Sequence, residues 1–393
     1  MIHTADIVII GGGVMGCSIA YHLAKQGFKN IILLEKDFLG SGSTGKSTAI
    51  VRTHYSHEVT ARMALKSLRV FENFKEIVGE SAGFVQTGFA VVVPERDLKG
   101  LQRNVQMHQK IGINTALLSA DDLKRMEPRL FIEDLAAAAY EPESGYADPS
   151  ATTFAFAYRA RDMGAKIFQG AEVIDINVEH GKVVSVMTKE MEISTRLVVN
   201  AAGPWARRVG RMVGIDLPLE ASRHQIATIR RSQEAEATHT IYGDFVHAIY
   251  LRPESGALSL LGSLGSREEE WVDPDQYRKD VDFSFVNEIS ERLCQRFPSM
   301  IGSLSQGGWA GLYTVTPDWH PILDQIPGIE GCYCAVGFSG HGFKLSPVIG
   351  EMMAELILKG KTSDPAIDIT LFRAGRFAEK ALIKGIYEYG VLA

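Results

Sequence analysis

From residue 7 to residue 24 the chain carries no Asp, Glu, Lys or Arg, and three consecutive glycines, Gly11, Gly12 and Gly13, interrupt this largely apolar run. The patterning predicts a buried strand over residues 6–10, a turn over 11–16, a helix over 14–26 closing near Gly27, and a second buried strand over 31–34. Strand, helix and strand in that order make a βαβ unit. A targeting or membrane segment is the competing reading of such a run. No basic stretch precedes it, however, Asp6 opens it, and the glycines weaken it as an apolar helix. No transmembrane segment is expected.

Beyond this unit the pattern predicts a polar Ser/Gly/Thr loop over 40–48, a helix over 57–78 and strand-like residues over 81–94. A helix and loop region then runs to about residue 141, and a helix over 151–163 ends at Gly164. Short strands follow at 172–178, 183–188 and 197–200, and a succession of strands fills 217–264, including 225–229, 248–251 and 258–261. The last elements expected are a strand over 332–336, a glycine-rich turn and a helix over 346–358. Helix and strand alternate at both ends around a strand-rich middle, which predicts an α/β Rossmann-like domain interleaved with a strand-rich one. The expected division gives residues 1–85, 141–215 and 317–393 to the first and 86–140 and 216–316 to the second.

Composition mainly excludes. A chain of 393 residues with 46% hydrophobic and 22% charged residues has the make-up of a globular protein of two or three domains, large enough to enclose a cofactor. A net charge of −6 offers no attraction to nucleic acid or to an anionic membrane. Cys17, Cys294, Cys332 and Cys334 are too few and too scattered for a disulfide framework, so a reducing, cytoplasmic compartment is expected. Cys332 and Cys334 alternate within a strand pattern, and no metal site is expected.

The turn of the βαβ unit carries a Gly-x-Gly-x-x-Gly fingerprint at Gly11, Gly13 and Gly16. Gly11 permits the tight turn, Gly13 lets the backbone approach a pyrophosphate, and Gly16 lets the helix pack on the strand, while the helix N-terminus offers N–H groups to the phosphates. Glu35 closes the second strand, where a carboxylate accepts hydrogen bonds from a ribose hydroxyl and repels a 2′-phosphate. The fingerprint by itself does not distinguish NAD from FAD.

Three further segments do. They are Val198-Val199-Asn200-Ala201-Ala202-Gly203-Pro204-Trp205, Gly40-Ser41-Gly42-Ser43-Thr44-Gly45 and Gly337-Phe338-Ser339-Gly340-His341-Gly342-Phe343-Lys344. On these motifs nearly the whole chain resembles the D-amino-acid oxidase family of flavoproteins, and within it sarcosine oxidase and the β subunits of heteromeric sarcosine oxidase and dye-linked proline dehydrogenase. The resemblance implies the glutathione-reductase-like fold of that family and FAD as cofactor. FAD would lie against Gly11, Gly13, Val14, Met15, Gly16, Glu35, Lys36, Ser43, Thr44 and Val173. Further contacts are implied at Ala201, Gly203, Trp205, Gly311, Gly337, Gly340, His341, Gly342, Phe343 and Lys344. It also implies non-covalent attachment. Gly311, Lys46 and Pro149 stand at or near the positions where relatives carry the cysteine or histidine that tethers flavin.

A small amino-acid substrate is implied as well, with its carboxylate held by Lys344 and Arg52 so that the reacting carbon sits over the ring. Tyr313 matches a position that roofs the substrate cavity, and Tyr250 and Arg252 are candidate walls. His341 in Gly-His-Gly fits a loop-shaping role better than that of a base, and His54 and His247 carry less. Two departures matter. Ala49 replaces an arginine that simple sarcosine oxidases hold near the flavin, and Leu260 replaces their oxygen-activating lysine, which points to another electron acceptor or a partner subunit. The function expected is oxidation of a C–N bond in a secondary or N-substituted amino acid such as sarcosine, proline or an opine. Alternatives are a 2-hydroxyacid or glycerol-phosphate dehydrogenase of the same fold, and an FAD-carrying relay subunit without its own substrate.

Overall fold

The computed structural model describes residues 2–265 and 270–384. Residues 266–269 and 385–393, which fall within the expected ranges 216–316 and 317–393, lie outside the described residues. One sheet has six strands in the order Lys166–Phe168, Ile31–Leu34, Ile7–Ile10, Val198–Asn200, Cys332–Val336 and Ile322–Gln325, the last antiparallel and the rest parallel. Ile7–Ile10 and Ile31–Leu34 are buried at every position because both faces of a parallel sheet are covered. Ile7 and Ile9 pack with the helices Val14–Lys25, Pro149–Asp162 and Gly342–Lys359, while Val8 and Ile10 pack towards a four-stranded sheet that includes Val173–Glu179 and Lys182–Thr188. Cys332 and Cys334 belong to the second of these clusters and Tyr333 and Ala335 to the first, the alternation of a buried strand. Helices Val14–Lys25 and Gly342–Lys359 cross so closely that a Cβ at Gly350 would come within 2.1 Å of Ser18 Oγ. That hydroxyl donates to Ser346 O at 2.7 Å.

The other large sheet has nine strands. Near one edge, the eleven-residue strand Glu220–Arg230 pairs with Leu258–Ser263, Glu270–Trp271 and Leu304–Val315. The sheet continues through Ile249–Glu254, Ile241–Asp244, Phe89–Val93, Ala137–Glu141 and Ala116–Ser119. A small sheet of Ile50–Val51, Gly145–Tyr146 and Val85–Gln86 holds the start of the chain that leads into Arg52. From this strand membership we propose that the two domains divide near residues 85, 141, 215 and 317.

Four elements depart from the pattern reading. The helix expected over 57–78 breaks at Asn73, whose φ of −117° leaves the helical region, giving Glu58–Glu72 and Phe74–Val78. The helix expected from 346 starts at Gly342, so Pro347 lies inside it. Proline has no N–H to return to the carbonyl four residues back, and the next amide, Val348 N, donates to Ser67 Oγ at 3.4 Å. Helix Phe283–Arg296 and strand Leu304–Val315 are not predicted at all. The strand is masked by Gly307, Gly308 and Gly311, which interrupt its side-chain alternation. Among the described residues no helix is long and apolar enough to cross a membrane.

Candidate active site

A deep cavity runs from the C-terminal edge of the parallel sheet to the face of the nine-stranded sheet, and most of the residues singled out in the sequence line it. At the sheet edge, Gly11 has φ +111°, and a Cβ there would stand 2.4 Å from Ala201 O. A Cβ on Gly16 would stand 2.0 Å from Gly11 O, so this glycine serves helix packing and does not itself line the cavity. Gly13 has an ordinary φ of −72° and faces the cavity, and the helix beginning at Val14 directs its N-terminal end there. Thr44, from the polar loop, accepts from Val14 N at 3.1 Å. Glu35 accepts from Gly12 N at 2.7 Å and Asp37 N at 2.8 Å, which fixes its carboxylate against the turn. Gly12 was not singled out in the sequence, yet a Cβ there would lie 2.8 Å from Glu35 and Leu39 side-chain atoms.

Val173 lines this end together with Ala171 and Glu172. Lys36 and Trp205 form one wall, the Lys36 ammonium 3.8 Å from the Trp205 ring centroid. Asp275 accepts from Lys36 at 3.0 Å and from Trp205 Nε1 at 2.7 Å, and it pairs with Arg208. Burial would raise the Asp275 carboxyl, but hydrogen bonds from Arg208, Trp205 and Lys36 outweigh it and hold the group at about 2. The segment around Asp275 therefore ties Lys36, Trp205 and Arg208 together beside the cavity.

The far end is built by Arg52, Lys344, Tyr313, Tyr250, His224, Phe89, Gly311 and the turn at Ser339, Gly340, Gly342 and Phe343. Lys344 is buried in the first turn of its helix, where its Nζ donates to Gly340 O at 3.4 Å. Burial, and then the charge of Arg52, hold its ammonium well below the usual lysine range. A bound carboxylate would favour the charged form and reverse part of this. Arg52 donates to His54 O, and its guanidinium lies 4.4 Å from the Tyr55 ring centroid. Tyr313 stacks on His224 with centroids 3.8 Å apart and planes 22° apart, and burial pushes its hydroxyl up to about 12 although Arg52 opposes this. A Cβ on Gly340 would strike that ring at 2.7 Å, and one on Gly262 would strike the Tyr250 ring at 2.3 Å, so glycines make room for both aromatics.

Four expected contacts are not found in the cavity lining, the first being Gly16, which serves helix packing. Arg252 reaches Thr48 O and Glu254 and stacks on Tyr146 at 4.1 Å, so it anchors the polar loop from behind and is no substrate wall. His341 is fully buried against Tyr55, with ring centroids 5.3 Å apart, and does not line the cavity. Gly337 takes φ +73°, with Thr316 2.4 Å from its Cβ position, and shapes the turn from the outside. Leu260 is buried and pairs with Arg252 and Thr228, two register steps along from the Tyr250 and Gly262 pair. The sequence reading missed His224. It lines the cavity, its Nε2 has no hydrogen-bond partner among the described residues, and burial lowers it to about 4, so it is a neutral imidazole. Only its position opposite Gly311 reveals it.

A Rossmann-type phosphate turn with an acidic ribose partner and a long cavity continuing into a second sheet defines a dinucleotide-dependent oxidoreductase. The match extends from residue 6 to residue 356, and the chain belongs to the FAD dependent oxidoreductase (DAO) family. It is 32% identical to the L-proline dehydrogenase from P. horikoshii, with a TM-score of 0.89 over 98% of this chain and 100% of that one. It is 27% identical to the sarcosine oxidase subunit beta of Rhodobacter capsulatus over 97% of this chain and 92% of that protein. It is also 29% identical to the mitochondrial sarcosine dehydrogenase of Homo sapiens over 91% of this chain, but it spans only 40% of that protein. The cavity lining fits the cofactor, since the glycine turn and Glu35 offer a cradle for pyrophosphate and ribose at one end and the ring end opens on Arg52 and Lys344.

Proposed function

We propose that the protein oxidises the C–N bond of a small secondary or N-substituted amino acid, passing a hydride to FAD. The observation that carries this reading is the pair of buried cations, Arg52 and Lys344, at the ring end of the cavity beside Tyr313, Tyr250 and His224. Burial and Arg52 disfavour the charged form of Lys344, a bound anion would restore it, and an α-carboxylate is the anion an amino acid brings. FAD supplies hydride acceptance when bound. The chain holds the substrate carboxylate, closes aromatic walls around the reacting carbon, and points the first turn of helix Gly342–Lys359, with its N–H groups, at the cavity. His224 is neutral, and the burial that lowers it makes it a weak base, so its unpartnered Nε2 serves as a hydrogen-bond acceptor for the substrate amine and not as the group that deprotonates it. The test is a dye-coupled assay over N-methyl amino acids, cyclic amino acids, 2-hydroxyacids and glycerol phosphate. Turnover confined to the amino acids supports the proposal, and turnover confined to hydroxyacids or glycerol phosphate refutes it.

The P. horikoshii enzyme is named as an L-proline dehydrogenase and the R. capsulatus relative as a subunit, which supports work with a separate electron acceptor or partner subunit. By its resemblance to simple sarcosine oxidases the chain carries Leu260 at the position of their oxygen-activating lysine, which supports slow reoxidation by air. Stopped-flow comparison of air with an artificial acceptor checks this. Reoxidation by air as fast as turnover, with stoichiometric peroxide, would contradict it. The attachment of FAD is taken to be non-covalent, because among the described residues no cysteine lines the cavity and position 311 is glycine. Precipitation with trichloroacetic acid should leave all flavin in the supernatant as FAD, and a yellow pellet would show a covalent bond. All four cysteines are unpaired, which fits a reducing compartment.

A further inference from the structure

Behind Arg52, outside the cavity lining, three buried side chains from three separate elements converge. They are His54, in the segment after strand Ile50–Val51; His108, in helix Leu98–Lys110; and Glu141, at the end of strand Ala137–Glu141. One ligand atom from each lies within 4.8 Å of the other two, and all three side chains are essentially inaccessible to solvent. His54 Nδ1 stands 3.9 Å from Glu141 Oε1. Sequence spacing gives no hint of this group, since the three positions are far apart and no metal was expected.

The outer contacts of His108 and Glu141 are those that orient metal ligands. His108 Nε2 lies 2.7 Å from Tyr55 O and 3.4 Å from Tyr55 N; the shorter contact is to a group that only accepts, and donation to it puts the ring proton on Nε2 and leaves Nδ1 as a lone pair. That Nδ1 is buried and has no hydrogen-bond partner among the described residues. An imidazole whose N–H is donated to a backbone carbonyl while its other nitrogen is unprotonated is the arrangement found at metal-bound histidines. Glu141 is held in the same manner, with Oε2 accepting from Thr53 N at 2.9 Å and from Ser144 Oγ at 2.8 Å. Its Oε1 is left without a hydrogen bond in a dry setting, where a carboxylate oxygen is costly to bury unanswered.

We propose that His54, His108 and Glu141 form a structural site for a divalent transition ion, with zinc the species two imidazoles and one carboxylate suit best. Tetrahedral zinc with bonds of about 2 Å needs donors roughly 3.3 Å apart, so the 3.9 Å pair must close by about 0.6 Å and the widest donor separation, at most 4.8 Å, by up to about 1.5 Å. Bound there, the ion would staple the segment that carries Arg52 to the helix and strand of the other domain. It would thereby fix the His54 carbonyl that receives the Arg52 guanidinium.

The experiment uses the FAD-loaded full chain, incubated with zinc chloride, desalted and analysed by inductively coupled plasma mass spectrometry. About one zinc per chain is expected for the wild type, and less than about a tenth for His108→Gln and Glu141→Gln at unchanged FAD content. Cobalt(II) in place of zinc should give ligand-field absorption to the red of the flavin bands. Should both variants fail to retain FAD, the cobalt spectrum of the wild type decides alone. The proposal is overturned if the wild type retains less than about a tenth of a zinc per chain, if folded variants retain as much as the wild type, or if cobalt gives no such band.

Discussion

Gly13→Val is expected to give a folded protein that purifies without colour. Gly13 has an unstrained φ of −72°, and a Cβ there meets only Thr44 Oγ1, at 3.2 Å, so the backbone tolerates a side chain. The branched side chain would occupy the space in which the turn meets the pyrophosphate. A clash costing roughly 3 kcal/mol weakens binding by more than about a hundredfold, enough to lose FAD during purification. The comparison variants are Gly11→Val and Gly16→Val, whose Cβ atoms would lie 2.4 Å and 2.0 Å from backbone oxygens. These should fail to fold, which separates loss of cofactor from loss of structure. Flavin absorbance per chain, with circular dichroism as the folding control, provides the reading. Stoichiometric flavin in the Gly13 variant would remove the phosphate role assigned to the turn.

Lys344→Met is expected to keep FAD and lose catalysis. Methionine approximates the lysine stem but has no charge, and the position is buried, so solvent cannot replace what is removed. A charge-assisted contact to a substrate carboxylate is worth roughly 1.5–3 kcal/mol, which lowers kcat/KM by about one to two orders of magnitude. An unchanged kcat/KM for the best amino acid would show that Lys344 does not touch substrate.

Local pattern carried the cofactor half of this protein far. The strand, turn and helix over residues 7–25 form where periodicity places them, because the apolar run, the glycines and Glu35 are consecutive features of one short segment. The substrate half was legible only through resemblance. His224 and Tyr313 meet because Glu220–Arg230 pairs antiparallel with Leu304–Val315, a contact between strands about eighty positions apart that no local spacing records. Arg252 shows the converse error. It lies two positions from Tyr250 and so on the same strand face, but the cavity ends before reaching it, and its guanidinium serves Thr48 and Glu254 instead. The N-terminal shift of the last helix has a similar origin, since Pro347 reads as a helix start while tertiary contacts extend the helix back through Lys344.

Anaerobic mixing of the FAD-loaded protein with N-methyl and cyclic amino acids, followed by absorbance of the oxidised flavin, tests the central claim most directly. The account predicts that at least one such amino acid bleaches the flavin, with one substrate consumed per FAD, and that 2-hydroxyacids and glycerol phosphate do not. A flavin that stays oxidised with every amino acid, or that is bleached only by a hydroxyacid or glycerol phosphate, would contradict it.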